Sequence, residues 1–264
     1  MAWIVAFEGG EGAGKTTQAK ILYGRLCQSG WSTRILREPG GTPLGEELRR
    51  LITAPRDVLW TLGRFRNQNL PFPASGRSQL VARDLWPPLT PEAELLLFMA
   101  SRVQLVKDVI IPSLQKDVVL ICDRFIHSTV AYQGYGRGMD LELIDKLNTL
   151  CTQGIKSHLV VFLDVEVEIG LKRKSRVGEI SRFEEEDPSF HKKVREGYKT
   201  LFEQEGNRWV KIDAKLPKKE ISKRIFDSVM QLLPRRELPK AIKASGCSSY
   251  QTQFSGGRNN LSLL

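Results

Sequence analysis

Residues 3–18, WIVAFEGGEGAGKTTQ, predict a strand, a phosphate-binding loop and the start of a helix. The five apolar or small residues at 3–7 are typical of a buried strand, and residues 9–16 follow the P-loop pattern G-x-x-x-x-G-K-T. Apolar side chains then recur at helical spacing up to residue 27, so a helix follows the loop as the motif requires. A glycine-rich turn that met a helix by chance would seldom place Lys and Thr in this order. We therefore expect a nucleoside triphosphate site.

The residue types in the loop suit phosphate chemistry. Glycines let the backbone wrap a phosphate chain with its N–H groups pointing inward, and the helix N-terminus adds positive potential. Lys15 supplies a charge for the β- and γ-phosphates, and the Thr16 hydroxyl is placed to bind Mg²⁺. The loop therefore predicts both a nucleotide site and its metal ion.

Length and composition exclude several classes of protein. The 264 residues are 41% hydrophobic and 27% charged, which is ordinary for a globular protein with a self-sufficient core. No stretch approaches the roughly 18 apolar residues of a membrane span, and the N-terminus lacks a signal-peptide pattern. Cys27, Cys122, Cys151 and Cys247 have no metal-binding spacing. We expect a cytoplasmic protein with reduced thiols and no membrane partner.

The net charge of +10 would suit a nucleic-acid partner, so the location of the charge matters. Residues 234–264 hold five basic residues against one acidic residue, and residues 55–88 hold five against two. Prolines and scattered aromatic residues break the pattern in 55–88, which we interpret as an insertion. The segment 234–264 is rich in Ser, Gly and Asn, and we expect a basic, disordered tail. A modestly basic core also suits phosphate ligands, so the charge alone does not decide the partner.

Strands and helices alternate along the rest of the chain. Continuous apolar runs at 118–122 and 159–163 are typical of buried parallel strands, and shorter strands are predicted at 33–37 and 209–212. Helical patterns separate these strands. A P-loop at the head of such an alternation predicts an α/β fold of the P-loop NTPase type, with helices on both faces of a sheet of about five parallel strands. We assign residues 1–233 to this domain.

Polar residues at strand ends and on helix faces are further candidates for the site. Asp123 ends the third predicted strand, where it would hold Mg²⁺, cap the next helix, or do both. Phe98 and Arg102 lie four apart and share a helix face. From spacing alone, Arg102 could simply extend to the surface beside the aromatic ring.

Two later segments leave alternatives open. Thr129 and Gln133 lie four apart and precede a glycine-rich turn that we place at 134–138. The basic stretch at 172–182 suits a solvated helix face, which is the usual explanation of a charge run. In a phosphate-transfer enzyme, the same stretch would be a mobile lid whose arginines close over the reacting phosphates.

Five blocks of sequence follow one another in a fixed order: FEGGEGAGKTTQ (7–18), REPGGTPLGEELR (37–49), LTPEAELLLFMASR (89–102), DRFIHSTVAYQGYGRG (123–138) and LKRKSRVGEISRFE (171–184). A P-loop occurs in many NTPases, but five blocks in one order are far more specific. In these blocks the chain resembles the bacterial-type thymidylate kinases, and the resemblance covers about residues 1–54 and 89–233. That family transfers the γ-phosphoryl group of ATP to dTMP with Mg²⁺, which gives dTDP for dTTP biosynthesis.

The resemblance implies a role for each matching position. Phe98 would stack on thymine and Arg102 would hydrogen-bond the base, which replaces the surface-exposed reading of that arginine. The P-loop would bind ATP, and Thr16 and Asp123 would hold the metal. The implied ATP-binding residues are Gly9, Gly10, Glu11, Gly12, Ala13, Gly14, Lys15, Thr16 and Thr17. The implied dTMP-binding residues are Glu11 facing the sugar, Glu38 near the acceptor phosphate and metal, Arg49 and Arg124 on that phosphate, and Phe98, Arg102, Thr129 and Gln133 at the base, with Gln133 on its Watson–Crick edge.

The resemblance also distinguishes two subtypes by the position of a catalytic arginine. One subtype carries this arginine inside the P-loop, whereas this chain has Glu11 there and matches the subtype that uses the lid. Arg173 or Arg176, together with Arg182, would then supply the charge. The implied catalytic residues are Lys15, Arg124, Arg173, Arg176, Arg182 and Glu38.

The expected partners are ATP, dTMP and a second copy of the chain, through helices that include 92–114, while nucleic acid is not expected. Family members have a short connection where this chain has 55–88, so that segment is a departure that could alter access or partners. The nearest rival function is another nucleoside monophosphate kinase, distinguished by the base accepted. A rival of another class is a P-loop switch protein that binds nucleic acid through 55–88 and 234–264.

Overall fold

A computed structural model describes residues 1–54, 89–176 and 181–234, and five strands in these ranges form one all-parallel sheet. The strands are β1 (Trp3–Glu8), β2 (Thr33–Arg37), β3 (Val119–Asp123), β4 (Leu159–Asp164) and β5 (Trp209–Asp213). The order across the sheet is β2-β3-β1-β4-β5, so the strand before the P-loop lies at the centre. This sheet confirms the fold that the sequence predicts.

Helices cover both faces of the sheet. The helices are α1 (Lys15–Gln28), α2 (Pro43–Thr53), α3 (Pro91–Leu105), α4 (Ile111–Leu114), α5 (Ile126–Thr129), α6 (Leu141–Thr152), α7 (Val167–Ser175), α8 (Pro188–Glu205) and α9 (Lys218–Leu232). A π-helical turn, Val106–Ile110, joins α3 to α4, and a second one, Val130–Gly136, follows α5. A 3₁₀ turn, Gly206–Arg208, precedes β5.

Alternating side chains of the central strand supply two separate cores. Val5 and Phe7 of β1 pack against apolar residues of α1 and α9 on one face. Ile4 and Ala6 pack on the opposite face against residues of α3 and the adjoining π-helical turn. Successive side chains of a strand point to opposite faces, so a continuous apolar run is what a sheet covered on both sides requires. The three-layer architecture follows from this pattern.

The carboxyl ends of β1 and β3 meet at one edge of the sheet, where open parallel sheets bind ligands. The P-loop leaves β1 there, and Asp123 and Arg124 leave β3 beside it. Arg124 has a positive φ of 72°, and its backbone N–H donates to the Phe7 carbonyl at 3.1 Å. This hydrogen bond ties the turn after β3 to the end of β1.

Helix α3 begins directly after Thr90, whose hydroxyl accepts from the Ala93 N–H at 3.2 Å as an N-cap. The glycine-rich turn predicted at 134–138 is wrong in its first half, which continues the π-helical segment. Gly134 and Gly136 allow neighbouring side chains to pack closely against this segment. An added Cβ would collide with Leu141 at the first position and would lie 2.6 Å from Phe190 at the second.

Three of the predicted segments lie wholly or partly outside the described residues. The insertion at 55–88 lies outside them, and so do the tail from residue 235 and the lid residues 177–180. No described helix is both long enough and apolar enough to cross a membrane.

Candidate active site

A cleft of about 1190 Å³ opens at the carboxyl ends of the strands. One side is formed by the P-loop and the start of α1. The other side is formed by α2, α3 and the segment after β3. This volume exceeds the usual 300–1,000 Å³ or so of a site for one small ligand, so the cleft has room for a pair.

The Lys15 side chain lies along the P-loop and is 7% exposed. Its ammonium group donates to the carbonyls of Gly9 at 3.0 Å and Gly10 at 2.7 Å. Burial lowers the pKa of Lys15 from 10.5 to about 8, helped by repulsion from Arg124 and opposed by nearby carboxylates. A cation is thus held at the loop near neutral pH, but it is closer to deprotonation than an exposed lysine.

Gly12 sits where the P-loop leans against α7. Its φ is 66°, and a Cβ at this position would collide with the carbonyl of Gly170 on that helix. The collision is with backbone, which has little freedom to move, so no larger residue fits here. The loop is therefore fixed to the helix that also carries Arg173.

Thr16 and Asp123 come together from neighbouring elements. The Thr16 hydroxyl donates to Asp123 Oδ2 at 2.5 Å. Helix α5 begins at Ile126 without a side-chain cap, so the alternative that Asp123 caps it is wrong. A hydroxyl and a carboxylate are hard oxygen ligands, and this pair therefore fits Mg²⁺.

Arg124 is held beside the P-loop by a set of oxygen acceptors. Its Nη2 donates to Glu11 Oε1 at 2.5 Å and to the Tyr132 hydroxyl at 3.1 Å, while Nη1 donates to the Gly9 carbonyl at 3.3 Å. Burial would raise the pKa of Glu11, but Arg124 and Lys15 outweigh it and hold the pKa at about 2. The pair keeps Glu11 anionic and the guanidinium oriented.

Glu8 supports the same turn from beneath and was missed by the sequence analysis. Its buried carboxylate accepts from the Phe125 N–H at 2.8 Å, the Ser128 hydroxyl at 2.6 Å and the Tyr198 hydroxyl at 2.9 Å. The bonds from Phe125 and Ser128 tie the chain that follows Arg124 to the end of β1, and the bond from Tyr198 ties helix α8 to the same point. An acidic residue at the end of a buried strand was a signal, but spacing alone did not identify its partners.

Arg102 lies inside the protein, so the surface-exposed alternative is wrong. The residue is 1% exposed, and its Nε donates to Glu38 Oε2 at 2.7 Å. Its other nitrogens donate to Asn148 Oδ1 at 2.6 Å and to the Phe125 carbonyl at 3.2 Å. Burial raises the pKa of Glu38 against the opposing attraction of Arg102. This buried ion pair contributes to the floor of the cleft, which both residues line.

The other residues predicted to bind dTMP also line the cleft. The Phe98 ring lies 6.1 Å from the Phe183 ring, and Arg49 Nη1 donates to the Pro39 carbonyl at 2.9 Å. The Thr129 hydroxyl is buried and has no hydrogen-bond partner among the described residues. A buried hydroxyl without a partner is unfavourable, so this atom suits a ligand contact.

The three predicted lid arginines are separated. Arg173 lines the cleft and donates to the Ala214 carbonyl at 2.9 Å. Arg176 is exposed at the end of α7, outside the cleft lining that the described residues define. Arg182 lies outside that lining too, since its guanidinium is buried against the Ile52 carbonyl and Glu94, both at 2.5 Å. Of these arginines, only Arg173 is placed at the cleft in this arrangement.

A central strand that ends in a P-loop, with a second basic and aromatic wall facing it, defines a P-loop nucleotide-binding enzyme fold. The family model described as "Thymidylate kinase" matches residues 7–59 and 77–225. The chain belongs to the thymidylate kinase family. The match leaves out residues 60–76, which fall within the predicted insertion.

Individual relatives agree with the family match. A thymidylate kinase of Synechococcus sp. (strain JA-2-3B'a(2-13)) is 41% identical over 232 residues, which are 88% of this chain and 96% of the relative. One of Geotalea daltonii is 40% identical over 220 residues, covering 81% and 89% of the two chains. The crystal structure of thymidylate kinase from Ehrlichia chaffeensis superposes with a TM-score of 0.62 at 27% identity, and it covers 86% of this chain and 98% of that one.

Proposed function

We propose that this protein transfers the γ-phosphoryl group of ATP to dTMP and gives dTDP in nucleotide biosynthesis. The observation that supports this most strongly is the cleft itself, in which a P-loop faces a wall that carries Phe98, Arg102, Thr129 and Gln133. An aromatic ring beside buried polar groups suits a planar base, while the P-loop suits a triphosphate. The names of the relatives fit the same reaction.

The proposed chemistry needs positioning and charge neutralisation more than covalent help from the protein. Lys15 would contact the β- and γ-phosphates of ATP, which its position on the P-loop supports. Arg124 would bridge donor and acceptor, because it lies beside the P-loop and lines the cleft. Arg173 would add charge from α7, and Arg49 would bind the acceptor phosphate as a rigid donor fork.

At the acceptor wall, Phe98 would stack on the base while Thr129 and Gln133 supply polar contacts. Arg102 would hydrogen-bond the base from its place against Glu38. Arg176 and Arg182 could act on phosphate only after the lid rearranges, and Arg182 would first have to leave Glu94 and Ile52. We therefore place Arg173 first among the lid candidates.

Mg²⁺ is proposed to accompany ATP, held by the Thr16 hydroxyl and the Asp123 carboxylate. When bound, the ion neutralises phosphate charge during transfer. The hydrogen bond between Thr16 and Asp123 supports the assignment, because it shows that two hard oxygen ligands lie side by side. Asp123 is the last residue of β3, so the proposed metal site would lie between the end of that strand and the P-loop.

A test of the function is ADP release from ATP with dTMP, dUMP, dCMP, dGMP and AMP offered separately, with and without Mg²⁺. We expect turnover with dTMP far above the others, and only with the metal. Turnover with a different monophosphate would keep the fold and overturn the substrate. Nucleotide binding without acceptor-dependent turnover, together with salt-sensitive polynucleotide binding that is lost without residues 234–264, would favour the nucleic-acid switch.

The lowered pKa of Lys15 predicts the pH dependence of ATP use. Above a pKa of about 8 the free enzyme loses the ammonium charge, so kcat/KM for ATP should fall about tenfold per pH unit there. Below that pH the ammonium charge is present, and kcat/KM for ATP should not change with pH through Lys15. The value of kcat at saturating ATP should hold to higher pH, because bound phosphate favours the charged lysine. A Lys15→Arg variant, which does not titrate in this range, should lose the inflection, and the same inflection in that variant would contradict the assignment.

A homodimer and a cytoplasmic location also remain proposals. Leu96 and Val103 lie seven residues apart on α3 and are 59% and 42% exposed, which suits a helix face covered by a second copy. Sedimentation of the full chain would test the dimer. The interpretation of 55–88 as an insertion and of 234–264 as a basic, disordered tail stays a prediction from sequence.

A further inference from the structure

Glu94 is a buried acid outside the proposed catalytic machinery. It lies in the first turn of α3 and is 1% exposed. Four hydrogen bonds converge on its two oxygens. Oε1 accepts from Gln133 Nε2 at 2.7 Å and Arg137 Nε at 3.2 Å, and Oε2 accepts from Arg137 Nη2 at 3.0 Å and Arg182 Nη2 at 2.5 Å.

These contacts determine which end of the Gln133 amide faces Glu94. Arginine cannot accept a hydrogen bond, so its bonds make both Glu94 oxygens acceptors. A Gln133 side chain turned by 180° would place its own carbonyl oxygen against Glu94 Oε1, where two acceptors repel. The amide nitrogen must therefore point to Glu94. The orientation follows from the chemistry of the donors and does not depend on how the amide atoms were placed.

With its nitrogen bound to Glu94, the Gln133 amide has its oxygen available for a ligand. The residue lines the cleft on the wall that holds Phe98 and Thr129. Because Glu94 binds the amide nitrogen, the oxygen is the end of the Gln133 amide that is left for a ligand in the cleft. The cleft is thus offered a hydrogen-bond acceptor at this position.

We propose that Glu94 is a positioning residue that selects the base of the acceptor nucleotide by holding Gln133 as an acceptor. This inference rests on the proposed function. Thymine and uracil carry an N–H at ring position 3, which can donate to the Gln133 oxygen. Cytosine has a bare ring nitrogen there, so two acceptors would face each other. The carboxylate of Glu94 would exclude cytosine without touching any base.

The test compares Glu94→Gln with Arg137→Gln, using dTMP and dCMP as acceptors. A glutamine at 94 can donate, so it lets Gln133 turn and present its nitrogen to the cleft. We expect the ratio of kcat/KM for dTMP over dCMP to fall on the order of tenfold or more in Glu94→Gln. Arg137→Gln removes two donors from the same carboxylate but leaves the bond to Gln133. It should lower thermal stability and keep the wild-type ratio.

The outcomes separate this inference from the proposed function. Wild-type enzyme without dTMP turnover would overturn both. Wild-type turnover with an unchanged ratio in Glu94→Gln, or equal losses for both acceptors, would overturn the positioning role alone. If Glu94→Gln does not fold, Glu94→Asp decides, since it retains a carboxylate that only accepts. It should keep the dTMP preference within a few fold, and loss of that preference would contradict the inference.

Discussion

Replacing Arg124 by methionine is expected to lower kcat by about 10²- to 10³-fold while the protein stays folded. Removing one preorganised donor to developing charge has an effect of this size. Arg124 is preorganised by Glu11, Tyr132 and the Gly9 carbonyl, so little reorganisation is needed when the phosphate charge shifts. Steady-state kinetics with saturating ATP and dTMP would measure the loss, and circular dichroism would verify the fold.

Arg124→Lys is the matched control for this prediction. Both variants meet the same positive φ of 72° at this position, so backbone strain is common to them and cancels in the comparison. Lysine restores a point charge without the planar fork, and its kcat should lie between wild type and methionine. Equal kcat in the lysine and methionine variants would show that fork geometry dominates. A methionine variant with near-wild-type kcat would remove Arg124 from the mechanism.

Replacing Arg102 by methionine is expected to lower the free energy of unfolding by about 3–5 kcal/mol, the usual result of breaking a buried ion pair from one side. The side chain is 1% exposed and bonds Glu38, Asn148 and the Phe125 carbonyl. Its loss would leave Glu38 as a buried charge without a partner. Denaturant unfolding at pH 7 would measure the change.

The double variant Arg102→Met with Glu38→Gln tests the cause. Removing the unpaired Glu38 carboxylate should restore a large part of the lost free energy of unfolding, as a double-mutant cycle would show. The pKa of Glu38 is already raised by burial, and without Arg102 it should rise further. Protonation of Glu38 then favours the folded state. The Arg102→Met variant should therefore lose stability as the pH rises from the pKa of Glu38 in the unfolded chain, about 4.5, through the higher pKa of Glu38 in the folded protein. A loss that is equal at pH 5 and pH 8 would point to lost packing instead.

The sequence predicted the P-loop, the parallel sheet and the face shared by Phe98 and Arg102, because each depends on local spacing. It could not identify Tyr132 as a partner of Arg124, since their contact depends on the π-helical turn that follows α5. It grouped Arg182 with Arg173 because they lie close along the chain. In three dimensions Arg182 is bound by Glu94, a contact across 88 positions that no periodicity reveals.

The support of Glu8 for the turn after β3 escaped prediction for a related reason. A buried acid has no pattern of its own, and its partners lie more than a hundred residues away along the chain. Local rules find the elements and the residues that face one another within them. Long-range acceptors inside the core are specified by packing among all the elements together, so they require the folded structure.

The contact of Gly12 with the backbone of α7 affects how the presence of this glycine in a related sequence should be interpreted. Any larger residue at this position is excluded by the backbone of α7 and by the positive φ, whether or not a phosphate is bound. A descendant that had lost phosphotransfer, but kept this fold, would still be under selection to retain it. Gly12 is therefore a marker of ancestry, whereas Lys15 and Arg124, whose positions a different side chain could occupy, are the better diagnostics of a surviving catalyst.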